Sequence, residues 1–425
     1  MSDSRIPGFY NLALDQRWAE LAKRCQLDAD DLSVLRDGGQ LEIDAADKMV
    51  ENCVGVMGMP IGLGLNFRIN DQDYVVPMVI EEPSVVAAVS NMARTIRQGG
   101  GFEAEADPSI MIGQVQILDV PDPEGAVEAL ITGKKRLLAR ANAVAPNMSR
   151  RGAGAIDIEV RRFEEPHPML VLHLLADCAD AMGANVINGM AEGIAPLVEE
   201  LTGGRVNLRI LSNLADRRCA RARCAIPEML LAGNGYSGAE VAQGVVEAYH
   251  FAAVDPYRAA THNKGIMNGI DAVAIATGND WRSLEAGAHA FAAREGRYTS
   301  LSRWWRQDGC LMGSIELPMA VGIVGGSTSV HPTIRVMRKI LAIESAAELG
   351  MVIAAVGLAQ NLGALRALCT EGIQRGHMSL HARSVALAAG AEGDEVDRIA
   401  EALIALGQIK LEVARSLLRR QAAAV

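Results

Sequence analysis

The stretch from residue 109 to 215 follows an order of elements that few folds satisfy. Ile110 to Val120 reads as a strand. Pro123 to about Val144 reads as a helix, with proline near its start, where a missing N–H costs nothing. Ile156–Phe163 alternates apolar and polar residues as a half-buried strand does, and Met169–Leu175 is a second strand. Asp180 to Thr202 predicts a helix ended by Gly203-Gly204, and Arg205–Leu211 a final strand. The order βαββαβ is the ferredoxin-like arrangement. It sits between two helix-rich stretches, so we read it as an inserted domain.

The flanks add a second unit. Residues 11–57 read as helices, with Asp28 or Asp30 capping one and Asp44 near the start of another. In this reading Glu51-Asn52-Cys53-Val54-Gly55 is a helix interior running to a glycine stop. Leu65–Ile69 and Tyr74–Ile80 flank the turn Asn70–Asp73, a hairpin pattern. Val85 to Gln98 predicts a helix that ends at three glycines. Beyond residue 216 the chain is again helical and rich in Gly and Ala, with strand signals at Gly313–Met319 and a glycine turn at Val324–Ser329. Met351 to Leu368 is very apolar but contains Gln360, Asn361 and Arg366, so it predicts a buried helix and not a membrane span. Gly390–Asp394 separates helices in a tail. The expectation is an α+β protein with four parts: residues 1–108 and 216–375 as a large helix-rich domain around a buried central helix, residues 109–215 as the insert, and 376–425 as a helical C-terminal unit.

Composition removes several functions. The net charge of −10 gives no basic footprint for nucleic acid, and 4% aromatic residues give little base-stacking surface. The seven cysteines are dispersed, without a Cys-x-x-Cys pair, and Cys219 and Cys224 lack a second pair to complete a zinc site. An odd, scattered count suits a reducing cytosol, and the first residues hold no apolar signal core. The expectation is a cytoplasmic protein with no membrane, nucleic-acid or metal partner.

The chemistry concentrates in Asp255–Gly269 and in Gly278-Asn279-Asp280. Charges packed so closely among Gly and Ala suggest that Lys264 and Asp280 are partly buried partners, because a buried lysine needs a counter-charge to keep its proton. Glu81 and Glu82 are adjacent at a strand end, so one faces a site and the other water. A buried carboxyl there has a raised pKa suited to general acid work; the alternative is a solvated turn. No Gly-x-Gly-x-x-Gly follows a strand. Asp180-Ala181-Met182-Gly183-Ala184-Asn185, between strand and helix, is the better dinucleotide candidate; the alternative is an ordinary N-cap by Asp180. His377 and His381 share a helix face, as a metal pair, as surface histidines, or with one of them a proton donor. Cys53 has no base near it in sequence and reads as a packed residue.

Together, in this order, these motifs resemble the 3-hydroxy-3-methylglutaryl-CoA (HMG-CoA) reductases, specifically the bacterial class II form. The resemblance covers essentially the whole chain and is carried by Glu51–Gly55, Glu81–Ser84, Asp180–Asn185, Leu211–Asp216, Thr261–Gly265, Gly278–Asp280 and Gly376–Met378. The lack of an anchor at the N-terminus favours class II over the anchored form. The resemblance implies two hydride transfers that interconvert HMG-CoA with mevalonate and CoA. It implies that Lys264 stabilises the oxyanion, that Glu82 moves the proton at the substrate oxygen, that Asp280 joins both in a charge network, and that His377 protonates the leaving CoA thiolate. Ser84, Arg258, Asn268, Glu51, Asn52 and Gln360 would contact substrate, with Arg258 on its free carboxylate. Asp180, Met182, Gly183, Ala184, Asn185 and Asn213 would hold the nicotinamide dinucleotide on the insert. The tail would be a mobile flap carrying His377, and the enzyme a homodimer or larger assembly with interfacial sites.

Two departures stand out. The family's Glu-Asn-Val-Ile-Gly has Cys53 and Val54 in its third and fourth positions, a change conservative in volume. The stretch Ala141–Asn147 holds no acid for ribose hydroxyls, while Arg140, Arg150 and Arg151 flank it and suit a 2′-phosphate. The match to NAD-using degradative enzymes favours NAD(H), with NADP(H) the alternative. Two competing functions are an enzyme of this fold acting on another acyl-CoA and a silent CoA or dinucleotide binder. Intact Ser84, Arg258 and Asn268 argue against the first, and intact Glu82, Lys264, Asp280 and His377 against the second.

Overall fold

A computed structural model describes residues 3–39, 41–150, 152–325, 330–370 and 372–422. The chain starts with α1 (Leu14–Cys25), α2 (Ala29–Arg36) and α3 (Ile43–Met49). Asp28 caps α2 by accepting from the Asp31 N–H, and Asp31 returns a bond to the Asp28 N–H. α3 ends at Met49, and residues 50–60 run on without helix or strand, almost all exposed. This corrects the helix-interior reading of Glu51–Gly55. Asn52 takes a left-handed φ of 58°, and among the described residues nothing covers the segment's exposed Val54 and Met57.

β1 (Ile61–Ile69) and β2 (Gln72–Val79) form the expected hairpin. Asn70 and Asp71 both have positive φ, the requirement of a two-residue turn that follows strand twist. α4 (Pro83–Gln98) then leads to β3 (Phe102–Ala106).

The insert comprises β4 (Ile110–Leu118), α5 (Pro123–Thr132), α6 (Lys134–Val144), α7 (Pro146–Ser149), β5 (Gly154–Phe163), β6 (Met169–Asp177), α8 (Ala184–Thr202) and β7 (Arg205–Leu211). Its sheet runs β5-β6-β4-β7 with every neighbour antiparallel, the ferredoxin-like order. Met111, Val115, Leu172, Leu174, Ile187, Met190 and Ile194 are fully buried in a core of its own. The single helix expected over 123–144 is two helices, broken at Gly133. A Cβ there would come within 2.7 Å of Leu201, so α5 and α6 bend over α8 at a residue without one.

The rest of the chain provides β8 (Cys219–Pro227), α9 (Gly238–Val254), α10 (Pro256–Ala276), α11 (Trp281–Ala292), β9 (Ser302–Gln307), β10 (Cys310–Pro318), α12 (Pro332–Leu341) and α13 (Ala346–Cys369). α14 (Ile373–Ala389), α15 (Asp394–Ala405) and α16 (Leu411–Ala422) follow. The large sheet is six-stranded, β2-β1-β3-β8-β10-β9. The glycine turn expected over Val324–Ser329 lies mostly outside the described residues. α14–α16 close around their own small core of Ala382, Ala386, Ile399, Leu403 and Ala414.

α13 is the buried central helix that the sequence predicts. Among the described residues it alone is long and apolar enough to cross a membrane, and most of it is enclosed by the rest of the chain. It lies against α10 through glycines. A Cβ on Gly269 would approach the Gln360 Cβ to 3.0 Å, and one on Gly357 would approach Ile270 to 2.9 Å. A buried polar cluster locks the pair to β9. The Asn361 Oδ1 accepts from Trp304 Nε1 at 2.7 Å and from Ser302 Oγ at 2.9 Å. Asn361 Nδ2 lies 3.1 Å from His262 Nε2, which also meets the Ser300 and Ser302 hydroxyls at 2.8 Å. Burial, with a smaller contribution from Arg258, pushes His262 down to about 3, so it is neutral in the folded chain.

Two expectations follow. Gly313 faces the fully buried Trp304 ring, and an added Cβ would lie inside its van der Waals shell. The ring is tethered through its N–H, so Gly313→Ala should cost about 1–3 kcal/mol of overpacking, read as a lower denaturant midpoint. His262 has a depressed folded pKa, so its contribution to stability is complete above its ordinary value of 6.5 and is lost as pH falls from there toward 3. The thermal midpoint should drop over that window, and less steeply in His262→Gln; equal slopes would exclude His262 as the cause.

Candidate active site

α10 organises the site. The Asp255 carboxylate caps it, accepting from the Tyr257 N–H at 2.8 Å, and Pro256 occupies the first turn. The helical repeat then divides the residues of the motif. His262, Asn263, Ile266, Met267 and Ile270 turn into the core. Arg258, Lys264, Asn268 and Asp271 follow one another along the other face, which the rest of the chain leaves uncovered or half-covered. Of the small residues among the charges, Gly269 serves the packing on α13, whereas a Cβ on Gly265 would meet open space.

This corrects one expectation. Lys264 and Asp280 are exposed, and no ion pair joins them among the described residues. Asp280 instead caps α11, accepting from the Ser283 N–H at 3.2 Å. Both side chains sit at helix surfaces that no element of the same chain buries. Lys264 does act electrostatically on Glu285 of α11, helping to keep that carboxyl low.

Glu82 lies at the N-cap position of α4, and Ser84 Oγ donates to its Oε1 at 2.9 Å. Glu81 is exposed and Glu82 half-buried, so the two carboxylates do face different surroundings. A cavity of about 1460 Å³ begins beside Pro83 and runs between the N-terminal segment, β1 and α4. Ile6, Phe9, Trp18 and Val86 give it apolar walls, and Arg5, Arg17, Arg94 and Arg97 line it, Arg5 paired with Asp3 and Arg97 with Asp73. None of these arginines belongs to a motif, and only the fold brings residues 5–17 onto α4.

Of the expected substrate residues, Gln360 is buried against Gly269, and its Oε1 has no partner among the described residues. Arg258 is half-buried, which lowers its pKa. Glu51 and Asn52 are exposed on the 50–60 segment, and no hydrogen bond or ion pair of the described residues ties them to α10. His377 lies in α14, but its side chain is outside the described residues; His381, one turn on, is exposed.

The 180–185 turn is held from both sheets. Asp180 does not cap α8, which corrects the N-cap alternative: its Oδ1 accepts from the Ala346 N–H at 2.8 Å, at the start of α13. Gly183 takes the N-cap position with φ 104°, and no side chain among the described residues caps the helix. Its first N–H groups thus remain available as anion donors. Gly322 packs on the Met182 backbone, where a Cβ would have no room. Arg218, only 4% exposed, donates to the Ala181 and Met182 carbonyls at 3.1 and 3.2 Å and to the Val321 carbonyl. The sequence reading missed it. Asn213 and Asn185 are exposed, and the Asn213 carbonyl lies against Gly287 of α11, where a Cβ would come within 2.6 Å.

Comparison with known proteins converges on one family. The sequence profile of the hydroxymethylglutaryl-coenzyme A reductase family matches residues 13–382. A 3-hydroxy-3-methylglutaryl-coenzyme A reductase of Archaeoglobus fulgidus is 48% identical over 98% of this chain and 94% of its own length. A probable reductase of the same name from Borreliella burgdorferi is 34% identical over 79% of this chain and 77% of its own. Among solved structures, the Streptococcus pneumoniae reductase superposes with a TM-score of 0.84 at 41% identity, covering 98% of this chain and 99% of that one. A class II reductase structure from the same organism, bound to NADPH in open conformations, gives 0.83 at 42% identity over 86% of this chain and 99% of that one. The chain belongs to the hydroxymethylglutaryl-coenzyme A reductase family, in its class II branch.

Proposed function

We propose that the protein interconverts HMG-CoA with (R)-mevalonate and CoA, using NAD(H) and working in mevalonate degradation. The observation that carries this reading is the row Arg258, Lys264, Asn268 on the uncovered face of α10. It offers a guanidinium for a free carboxylate, an ammonium for an oxyanion and an amide for a hydroxyl within three turns of helix. Glu82 and Ser84 supply a carboxyl and a hydroxyl already hydrogen-bonded to one another.

In this reading Lys264 stabilises the oxyanion at the thioester carbon, and Glu82 passes the proton at that oxygen. Asp280 steadies both charges, and His377 protonates the departing thiolate. The unpartnered Gln360 oxygen awaits a donor from the substrate. The cavity beside Pro83 suits CoA, with arginines for its phosphates and apolar walls for its chain. The uncapped start of α8, with Met182, Ala184, Asn185 and Asn213, suits the diphosphate of a nicotinamide dinucleotide. When bound, that coenzyme supplies or takes up hydride.

The exposed 50–60 segment supports a homodimer. Val54 at 101% exposure and Met57 at 88% belong under a second copy, which would carry Glu51 and Asn52 to the site. The tail α14–α16, with a core of its own, suits a flap that moves as one body and carries His377. NADP(H) is the second reading for the coenzyme. The observation that favours it is Arg140 and Arg150 around the end of α6, in a stretch without a carboxylate.

The test is the absorbance of reduced nicotinamide with mevalonate and CoA, comparing NAD with NADP. A rise chiefly with NAD supports the full reading, and one chiefly with NADP moves the coenzyme to the second. No rise with either, and no coenzyme oxidation by HMG-CoA, overturns the substrate assignment. Lys264→Ala should lose roughly 10²–10³ or more in turnover, as loss of an oxyanion donor does. Its melting curve should match the parent, because Lys264 is exposed. Retained turnover would refute the role given to Lys264.

A further inference from the structure

α10 and α11 enclose a second set of polar groups that none of the roles above uses. Asp271, on the same helix face as Lys264 and about two turns beyond it, is hydrogen-bonded to Glu285 of α11. The Glu285 Oε2 lies 2.5 Å from His289 Nε2, and His289 Nδ1 lies 2.7 Å from the Tyr298 hydroxyl. Tyr298 in turn is hydrogen-bonded to Asn263, the residue before Lys264. Asn263 is itself fixed, donating to the Thr299 carbonyl at 2.8 Å and accepting from the Leu301 N–H at 3.0 Å. The set therefore leaves α10 at Asp271, crosses α11 and returns to α10 beside Lys264.

Two carboxyl groups hydrogen-bond to one another only when a proton lies between them. In half-buried surroundings two like charges also oppose each other's ionisation. Burial, and then Glu285, push Asp271 up to about 8, while the His289 ring holds Glu285 down. At neutral pH the pair thus carries one proton and one negative charge. The other oxygen of Asp271 is buried without a partner among the described residues. The ionisable groups acting on the pair are Lys264 from α10, His289 from α11 and, beyond them, Tyr298. α4, α9, α12, α13 and β2 also pack on α10, and β10 on α11; the largest electrostatic contributions to the two carboxyls come from α10 and α11 themselves.

We propose that Asp271 and Glu285, joined by one proton and steadied by His289, are positioning residues for Lys264: the singly charged pair holds the ammonium along the substrate face of α10, and loss of the shared proton draws it toward α11. This rests on the role given to Lys264 above. No atom of the pair touches substrate. The proton that leaves Asp271 goes to solvent, and the second negative charge it leaves behind competes with the oxyanion for the same cation.

The experiment is the pH profile of kcat and of KM for mevalonate oxidation in the full-length enzyme, with Asp271→Asn and Glu285→Gln beside the parent. The parent should lose kcat on the alkaline side, with KM for mevalonate and for CoA nearly constant. Asp271→Asn keeps the shape and cannot ionise, so its alkaline fall should vanish or move up by about one pH unit or more. Glu285→Gln removes the holding charge and should lower kcat at every pH, with the alkaline fall likewise displaced. An alkaline limb unchanged in both variants overturns the proposal, as does a change confined to KM. If Asp271→Asn fails to fold by circular dichroism, the profile of Glu285→Gln decides in the same way. Lys264→Ala separates the two readings. Turnover retained there removes the lysine's role and this inference with it; turnover lost there, with parental profiles in the other two variants, removes this inference alone.

Discussion

The close approach of α10 to α13 is the constraint on which the rest of the structure depends. Gly269 and Gly357 let two apolar helices meet nearly backbone to backbone, with Gln360 and Ile270 filling the seam. Interiors packed at crystal-like density leave no room to rotate one helix against the other. Asn361 and His262 then fix the register through directed bonds to Trp304 and Ser302, which apolar contact alone does not provide. With the inner face of α10 committed, its outer face has only one set of residues to show. The spacing of Arg258, Lys264 and Asn268 follows from the burial of His262, Ile266 and Ile270.

Much of this was legible in the sequence. The βαββαβ order appeared because each strand of the insert alternates or runs apolar between clear glycine and proline stops. The hairpin showed in Asn70-Asp71, two residues that tolerate positive φ. What escaped notice was structure built from small or charged residues. β8, Cys219–Pro227, is mostly Ala, Arg and Cys, with Ile226 its one β-branched residue, yet it sits between β3 and β10 in the large sheet. α5 and α6 read as one helix because nothing local marks Gly133 as a break; there the chain turns beside Leu201 of α8.

The site was legible by motif and illegible by environment. Motifs pointed to Lys264, Asp280 and Glu82, and the fold sets Lys264 and Asp280 at open helix surfaces. Local sequence suggested burial because Gly and Ala surround the charges, but Gly269 serves the seam with α13, while Gly265 borders open space and Ala260 is exposed. Asp271, Glu285, His289 and Tyr298 carried no signal at all. They belong to no motif, and their meeting depends on how α11 crosses α10.

Arg218 gives the molecule an electrical asymmetry. Among the described residues no carboxylate pairs with its buried guanidinium; Asp177 and Asp180 act on it only from a distance, and the carbonyls of Ala181, Met182 and Val321 take up its N–H groups. A guanidinium stays charged throughout the range in which proteins work. The positive field at the start of α8 is therefore a fixed background, the same in acid and in base. The α10 side, by contrast, has groups that change charge within that range. The charge behind the 180–185 turn is thus constant, while that beside Lys264 varies with pH.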